Sequence, residues 1–279
     1  MSIVYLNNAF MPLEDAKIPV LDRGFIFGDG VYEYVPCYNG KPFRLAEHLA
    51  RLQRSCDAIK LANPYGEEKW ADLVAKIIEQ NGSGNLGVYF QITRGVAKRD
   101  HAFPNDAIPT VFIMANPLPP ASQETVDKGI ACISMADTRW LRCDIKTTSL
   151  LGNVLLRQAA MEAGGIEVVL FRDGFLTEGA ASNILVVRNG TLLAPPKDNL
   201  ILPGITYDFI IELCDAHNIP IEIRKIPEAE VKNADELLLT SSGKEITAIT
   251  QLDGKPVGTG KPGPVFRTLY KIYQDYKTK

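Results

Sequence analysis

The segment Asn116-Pro117-Leu118-Pro119-Pro120-Ala121-Ser122 limits how this chain can fold more than any other. Proline lacks an N–H and fixes φ, so such a run suits neither a helix interior nor a central strand. It reads as a stiff extended linker. It splits the 279 residues into a small N-terminal domain, 1–117, a linker, 118–122, and a larger C-terminal domain, 123–279. Either part is long enough to bury a core.

Hydrophobic periodicity assigns elements on both sides. Ile3–Asn7 and Ala9–Pro12 read as strands around Asn7-Asn8, and Gly24 to Gly30 as a glycine-punctuated loop. Val31–Tyr38 is a β-branched and aromatic strand, and Asn39-Gly40 is a hairpin signal. Leu45, Leu49, Leu52, Cys56 and Ile59 mark a helix over 44–60. Trp70, Leu73, Val74, Ile77 and Ile78 mark a second, ended by Asn81-Gly82. In Leu86–Arg94, Val88, Phe90 and Ile92 face one way, and Tyr89 and Gln91 the other. Thr110–Ala115 is a further buried strand. Beyond the linker, strands are expected at 130–135, 166–171, 182–188, 219–224, 236–240 and 246–252. Helices are expected at 151–163, 205–217 and 264–277, with hairpins at Asp173-Gly174 and Asn189-Gly190. Hairpins interleaved with helices predict an α+β fold with mixed sheets, not a regular parallel array.

Composition removes several functions. Thirty Lys+Arg against 33 Asp+Glu leave a charge of −3, with no basic excess for nucleic acid. No apolar run approaches the ~18 residues of a membrane span. The opening residues lack a basic region and a long apolar run, so a cytoplasmic location is expected. Five cysteines without a CxxC pair, and three histidines without HExxH, argue against a disulfide framework and a metal site. Gly258-Thr259-Gly260-Lys261-Pro262-Gly263 matches GxGxxG but lacks the following βαβ context, so it reads as a loop.

Five places carry chemistry. Lys146 lies between Ile145 and Leu150, just before a helix; a desolvated lysine amine can attack a carbonyl and form a Schiff base. Glu178, in Leu176-Thr177-Glu178-Gly179-Ala180-Ala181-Ser182-Asn183, is either a solvated turn carboxylate or one beside a planar ligand that small neighbours admit. Leu202-Pro203-Gly204-Ile205-Thr206 precedes a helix whose free N–H groups suit an anion or a simple cap. His48 and Arg51 share a helix face and on their own would read as a polar surface. Arg99 and His101 share one side of an extended loop, where an arginine fork and an imidazole can take a carboxylate or simply meet solvent.

The order of these pieces resembles the fold-type IV pyridoxal-phosphate enzymes. That family includes branched-chain aminotransferases, D-amino acid aminotransferases and aminodeoxychorismate lyases. The resemblance spans nearly the whole chain. It runs through Asp22-Arg23-Gly24, Gly28-Asp29-Gly30, Val31-Tyr32-Glu33, His48-Leu49-Ala50-Arg51-Leu52, Lys146, the Glu178 segment, Leu202–Thr206, Thr240-Ser241-Ser242 and Leu252–Gly258. It implies pyridoxal 5′-phosphate held covalently by Lys146, with Glu178 on its ring nitrogen. Arg51, Ile205, Thr206 and Ser242 would hold its phosphate. Arg99 and His101, with Tyr32 and Tyr89, resemble the carboxylate trap of the D-amino acid aminotransferases. The implied reaction is transamination between a D-amino acid such as D-alanine and a 2-oxo acid such as 2-oxoglutarate, by a homodimer. An L-branched-chain aminotransferase and aminodeoxychorismate lyase are the alternatives on the same fold. Two places depart from the pattern. Tyr34 stands where a smaller aliphatic residue is expected, and Ser241-Ser242-Gly243-Lys244 is looser than the family's hydroxyl-rich run.

Overall fold

Alternating side chains build the first sheet. Its strands are β1 (Ile3–Leu6), β2 (Ala9–Pro12), β3 (Gly30–Tyr38), β4 (Lys41–Pro42), β5 (Leu86–Thr93) and β6 (Thr110–Pro117). Their order is β2-β1-β6-β5-β3-β4, antiparallel throughout. The computed structural model describes residues 2–82 and 84–277. Three helices join this sheet: α1 (Arg23–Phe27), α2 (Leu45–Ala58) and α3 (Glu67–Asn81). Val31, Val35, Val88, Phe90 and Ile92 leave one face of the sheet fully buried, with Leu52 of α2 and Trp70, Val74 and Ile77 of α3 in the same core. Each such side chain contributes about 1.5–3 kcal/mol by leaving water. The Trp70 ring stacks 5.2 Å from Phe90, and its Nε1 donates to Asn63 Oδ1 at 2.9 Å.

Helix α1 corrects the expected loop. Asp22 caps it by accepting from Gly24 N at 2.8 Å, and Gly28 ends it with φ +64°. Gly24 lowers helix propensity in a five-residue segment and hid this turn of helix; the buried Asp22, which also accepts from the Thr93 and Thr110 hydroxyls, fixes it.

The second sheet has nine strands. In chain order the elements are α4 (Gln123–Lys128), β7 (Ile130–Ala136), α5 (Leu151–Glu162), β8 (Glu167–Arg172), β9 (Phe175–Leu176), β10 (Asn183–Arg188), β11 (Thr191–Ala194) and α6 (Ile205–Ala216). Then follow β12 (Ile221–Ile223), α7 (Glu228–Lys232), β13 (Glu236–Ser241), β14 (Glu245–Leu252), β15 (Lys255–Pro256) and α8 (Pro264–Lys277). The order is β12-β11-β10-β13-β14-β7-β8-β9, with β15 beside β14. Three pairs are parallel, β11 with β12, β14 with β7, and β7 with β8, so the sheet is mixed. Its central strands β8, β10 and β13 are buried on both faces, which is why they read as continuous apolar runs. Asn39-Gly40, Asp173-Gly174 and Asn189-Gly190 all turn with positive φ at both residues, as two-residue hairpins require. The short α4 and α7 hold too few apolar residues to show a period, so sequence does not announce them. Among the described residues no helix is long and apolar enough to cross a membrane.

The GxGxxG segment is a turn, with Gly258 and Gly260 at positive φ. The N–H groups of Val265 and Phe266, at the start of α8, both donate to the Glu236 carboxylate at 2.9 Å. The protein's own acid thus holds that helix terminus, where a dinucleotide phosphate would need to bind.

The chain divides into two compact units. One holds the residues through Pro119 and also Ile145–Leu150; the other holds Pro120–Asp144 and everything from Leu151. A boundary at the prolines would keep Lys146 with the C-terminal domain. Backbone bonds place it with the first sheet instead: Tyr32 N donates to Lys146 O at 2.9 Å, and Thr148 N to Gly30 O at 3.0 Å. Nothing in a six-residue extended stretch announces such a partner in sequence.

Candidate active site

Strand β3 sorts its side chains to two faces. Glu33 lies on the α2 side and is fully buried. It accepts from Arg51 Nε at 2.7 Å and Arg51 Nη2 at 2.8 Å, and His48 Nδ1 lies 2.7 Å from Oε2. Burial opposes its charge, but the Arg51 guanidinium and His48 hold the carboxyl well below the usual range. Burial lowers His48, against the pull of Glu33, so the imidazole is neutral near pH 7 and its Nδ1–H donates to the carboxylate. The expected pair His48 and Arg51 is therefore a buried triad with Glu33, not a polar surface face. Sequence reasoning missed Glu33's part in it.

Tyr32 and Tyr34 take the other face. The Lys146 ammonium stands 4.2 Å from the centre of the Tyr32 ring. Tyr32 stacks on Tyr89 at 5.4 Å, and Tyr89 Oη donates to Gln91 Oε1 at 2.6 Å. Among the described residues no acidic group pairs with Lys146. Its backbone is fixed closely: Lys146 N donates to Ser55 Oγ at 3.3 Å, and the Thr148 and Ser149 hydroxyls both donate to Gly28 O at 2.9 Å. Gly30 permits this approach, since a Cβ there would lie 2.6 Å from Ile92 O and 3.2 Å from Thr148 Oγ1. Tyr34 sits opposite Tyr89 in the ladder, and its hydroxyl would lie 1.8 Å from a Cβ at Gly87. The tyrosine thus fills the space over that glycine.

Arg99 and His101 are exposed and share the Phe27 ring, at 5.3 Å and 5.4 Å. Among the described residues neither makes a hydrogen bond or ion pair, and no contact joins them to Lys146, Tyr32 or Tyr89.

In the second unit Glu178 is buried, which overturns the solvated-turn alternative. Oε1 accepts from Arg139 Nη1 at 2.5 Å, and Oε2 from Asn183 Nδ2 and Leu202 N, both at 3.0 Å. Arg139 is itself forked onto Asp137, with Nε and Nη2 at 2.9 and 2.8 Å. Burial pushes the Glu178 carboxyl up to about 7 even against the Arg139 charge. The guanidinium divides its field between two carboxylates, so burial prevails at Glu178. Arg139 and Asp137 were missed in sequence, because an arginine in an aperiodic loop carries no signal. The small residues at 179–182 have their own account: Glu167 accepts from Ala180 N, Ala181 N and Ser182 Oγ, which folds them into a tight turn.

Helix α6 begins at Ile205 and Thr206, with Gly204 as N-cap and no side chain capping it. Gly204 is required: a Cβ would lie 2.1 Å from Asn183 Oδ1. Asn183 Nδ2 donates to Leu202 O at 2.9 Å as well as to Glu178, so one asparagine ties the carboxylate to the helix start. Ser242 lies in the turn after β13, closed by Lys244 N donating to Ser241 Oγ at 3.1 Å. Among the described residues no cluster of His, Cys, Asp or Glu could hold a metal.

Each unit offers groups suited to part of a phosphorylated aromatic aldehyde. In the first, an amine without an acidic partner among the described residues suits its carbonyl; in the second, an uncapped helix terminus suits its phosphate and a buried carboxyl its ring nitrogen. Known proteins agree. A family model described as "Amino-transferase class IV" matches residues 30–252. The D-alanine aminotransferase of Staphylococcus aureus (strain COL) is 36% identical over 276 residues, covering 99% of this chain and 98% of that one. That of Listeria monocytogenes serotype 1/2a (strain 10403S) is 38% identical over 278 residues, covering 99% and 96%. Among solved structures, a T.th. branched-chain amino acid aminotransferase with pyridoxamine 5′-phosphate aligns with a TM-score of 0.92 at 25% identity, covering 99% and 94%.

Proposed function

Since this chain belongs to the class IV aminotransferases, we propose that it moves the amino group of a D-amino acid such as D-alanine to a 2-oxo acid such as 2-oxoglutarate. The enzyme depends on pyridoxal 5′-phosphate. That cofactor, when bound, supplies a ring that accepts the electron pair left when the substrate Cα–H bond breaks. The observation that carries the D-amino acid reading is the Arg99–His101 pair, whose donors are unengaged among the described residues and which both lie against the Phe27 ring. Two such donors suit an α-carboxylate. Fixing that carboxylate decides which enantiomer presents its Cα–H to the base.

The remaining roles are those the resemblance to the family implies. Lys146 would hold the cofactor covalently and would carry the proton to and from the substrate Cα. Its fixed backbone and the Tyr32 ring restrict where the amine can reach. Glu178 holds a proton on the ring nitrogen; a carboxyl near neutrality gains its charge readily once a cation lies beside it. In the first unit Arg51, held by Glu33, is a candidate donor to the phosphate. In the second the N–H groups of Ile205 and Thr206, with Ser242, are candidate donors to a phosphate dianion. Tyr32 and Tyr89 line the substrate side with Arg99 and His101. Exposed apolar side chains, among them Val20, Phe25 and Ile108 in the first unit and Leu151 and Leu155 in the second, support a homodimer. Five free, buried cysteines support a cytoplasmic location.

The structural likeness to branched-chain enzymes favours an L-amino acid as the second reading. A panel of D- and L-amino acids with 2-oxoglutarate and pyruvate decides between them. D-Alanine should bleach the yellow holoenzyme and turn over. Turnover of L-leucine without turnover of D-alanine would overturn the proposal.

A further inference from the structure

We infer that Arg23 and Asp29 are positioning residues for the Arg99–His101 pair, fixing the loop that presents it to the substrate carboxylate. The inference rests on the proposed role of that pair. Among the described residues neither Arg99 nor His101 makes a polar contact, so their placement depends on backbone and on Phe27. Arg23 supplies both restraints. It is the buried residue of α1, whose other residues are half-buried or exposed. Its Nη1 donates to Asp100 O at 2.6 Å and to Ala102 O at 3.3 Å, the two carbonyls that flank His101. Its guanidinium lies 4.9 Å from the centre of the Phe27 ring, the ring that Arg99 and His101 share.

Asp29 holds the arginine in place. Oδ2 accepts from Arg23 Nε at 2.7 Å and from Arg94 Nε at 2.9 Å, and Oδ1 accepts from Arg94 Nη2 at 3.0 Å. Arg94 begins the loop; its other donors reach Lys60 O and Ile59 O at 2.9 and 2.8 Å. The same guanidinium lies 3.7 Å from the centre of the Phe103 ring, beyond His101. One carboxylate therefore ties the start of the loop through Arg94 and its middle through Arg23. An arginine fork can do this because its donors diverge in one plane; a lysine has a single point of charge.

The test uses holoenzyme and D-alanine. Arg23→Met should raise KM about tenfold or more while kcat stays within about threefold, because binding geometry is lost and the proton-transfer groups are not. Arg23→Lys should raise KM by a smaller factor. The triple variant Arg23→Met/Arg99→Met/His101→Phe should bind no worse than Arg99→Met/His101→Phe, since positioning has no effect once both positioned groups are gone. Additive effects in that cycle would overturn the inference, as would unchanged KM in Arg23→Met. Should Arg23→Met fail to fold, Arg23→Lys decides on the same criterion: a raised KM supports the inference and an unchanged one overturns it. Unchanged KM in Arg99→Met itself would instead sink the proposed carboxylate pair. The two failures are therefore distinguishable.

Discussion

Glu178→Gln removes one charge with almost no change of shape, and the structure says what should follow. The carboxyl is buried and lifted from an ordinary 4.5 to about 7. In the folded, cofactor-stripped chain it binds a proton that the unfolded chain has already lost between those values. The native state then holds more protons, so stability falls as pH rises through this window. A rise of that size corresponds to about 3 kcal/mol, fully lost above the folded pKa. Glutamine cannot ionise and should remove this contribution to the slope. It also forfeits a bond, because its amide group must face either Arg139 or the donors Asn183 Nδ2 and Leu202 N. That leaves one buried donor unmet, at a cost of about 1–3 kcal/mol at acid pH. The assay is urea unfolding of cofactor-stripped enzyme and variant from pH 5 to 8.5. The two should converge as pH rises. Parallel curves, with the same pH slope, would refute the assigned state of Glu178. In the loaded enzyme the variant should lose about 10²–10³ in kcat, the usual scale for removing a matched charge from a reacting centre.

Three further outcomes are expected. Lys146→Ala should abolish transamination, measured as oxo-acid formation from D-alanine; near-normal turnover would remove the lysine from its role. Glu33→Leu should destabilise the first unit by about 3–5 kcal/mol, because it leaves the buried Arg51 guanidinium without its carboxylate, and a change below about 1 kcal/mol in urea unfolding would contradict the triad. Gly87→Ala should cost about 1–3 kcal/mol by displacing the Tyr34 ring, and adding Tyr34→Val should restore most of it; a double variant as unstable as the single one would show that the ring is not what the methyl meets.

Much of this architecture is legible in sequence wherever one face of an element is buried. Val88, Phe90 and Ile92 announce β5 because a helix layer covers them and leaves Tyr89 and Gln91 to the other side. The hairpins at 39–40, 173–174 and 189–190 are legible because left-handed backbone selects Asn-Gly and Asp-Gly. Motif order singled out Lys146, Glu178 and Arg51 as candidates. The ion-pair partners of Glu178 and Arg51 were hidden, since ion pairs leave no periodic trace. Arg139 lies 39 residues from Glu178, in a loop without pattern. Glu33 lies between Val31 and Val35 on a buried face, where an acid is visible only once Arg51 is seen opposite. Helix α1 was hidden by Gly24 and its own shortness, and the membership of 145–150 by its brevity.

The attachment of the lysine segment to β3 also bears on how such a protein can be divided or recombined. The chain leaves the first unit after Pro119, returns for Ile145–Leu150, and leaves again. Three crossings, not one proline hinge, join the halves. A fragment ending at the prolines would lack Lys146 and would leave Tyr32 N and Gly30 O without their partners. A fragment beginning there would carry the lysine but not the strand that fixes it. Modular exchange at the linker would therefore separate the Lys146 segment from the strand that holds it.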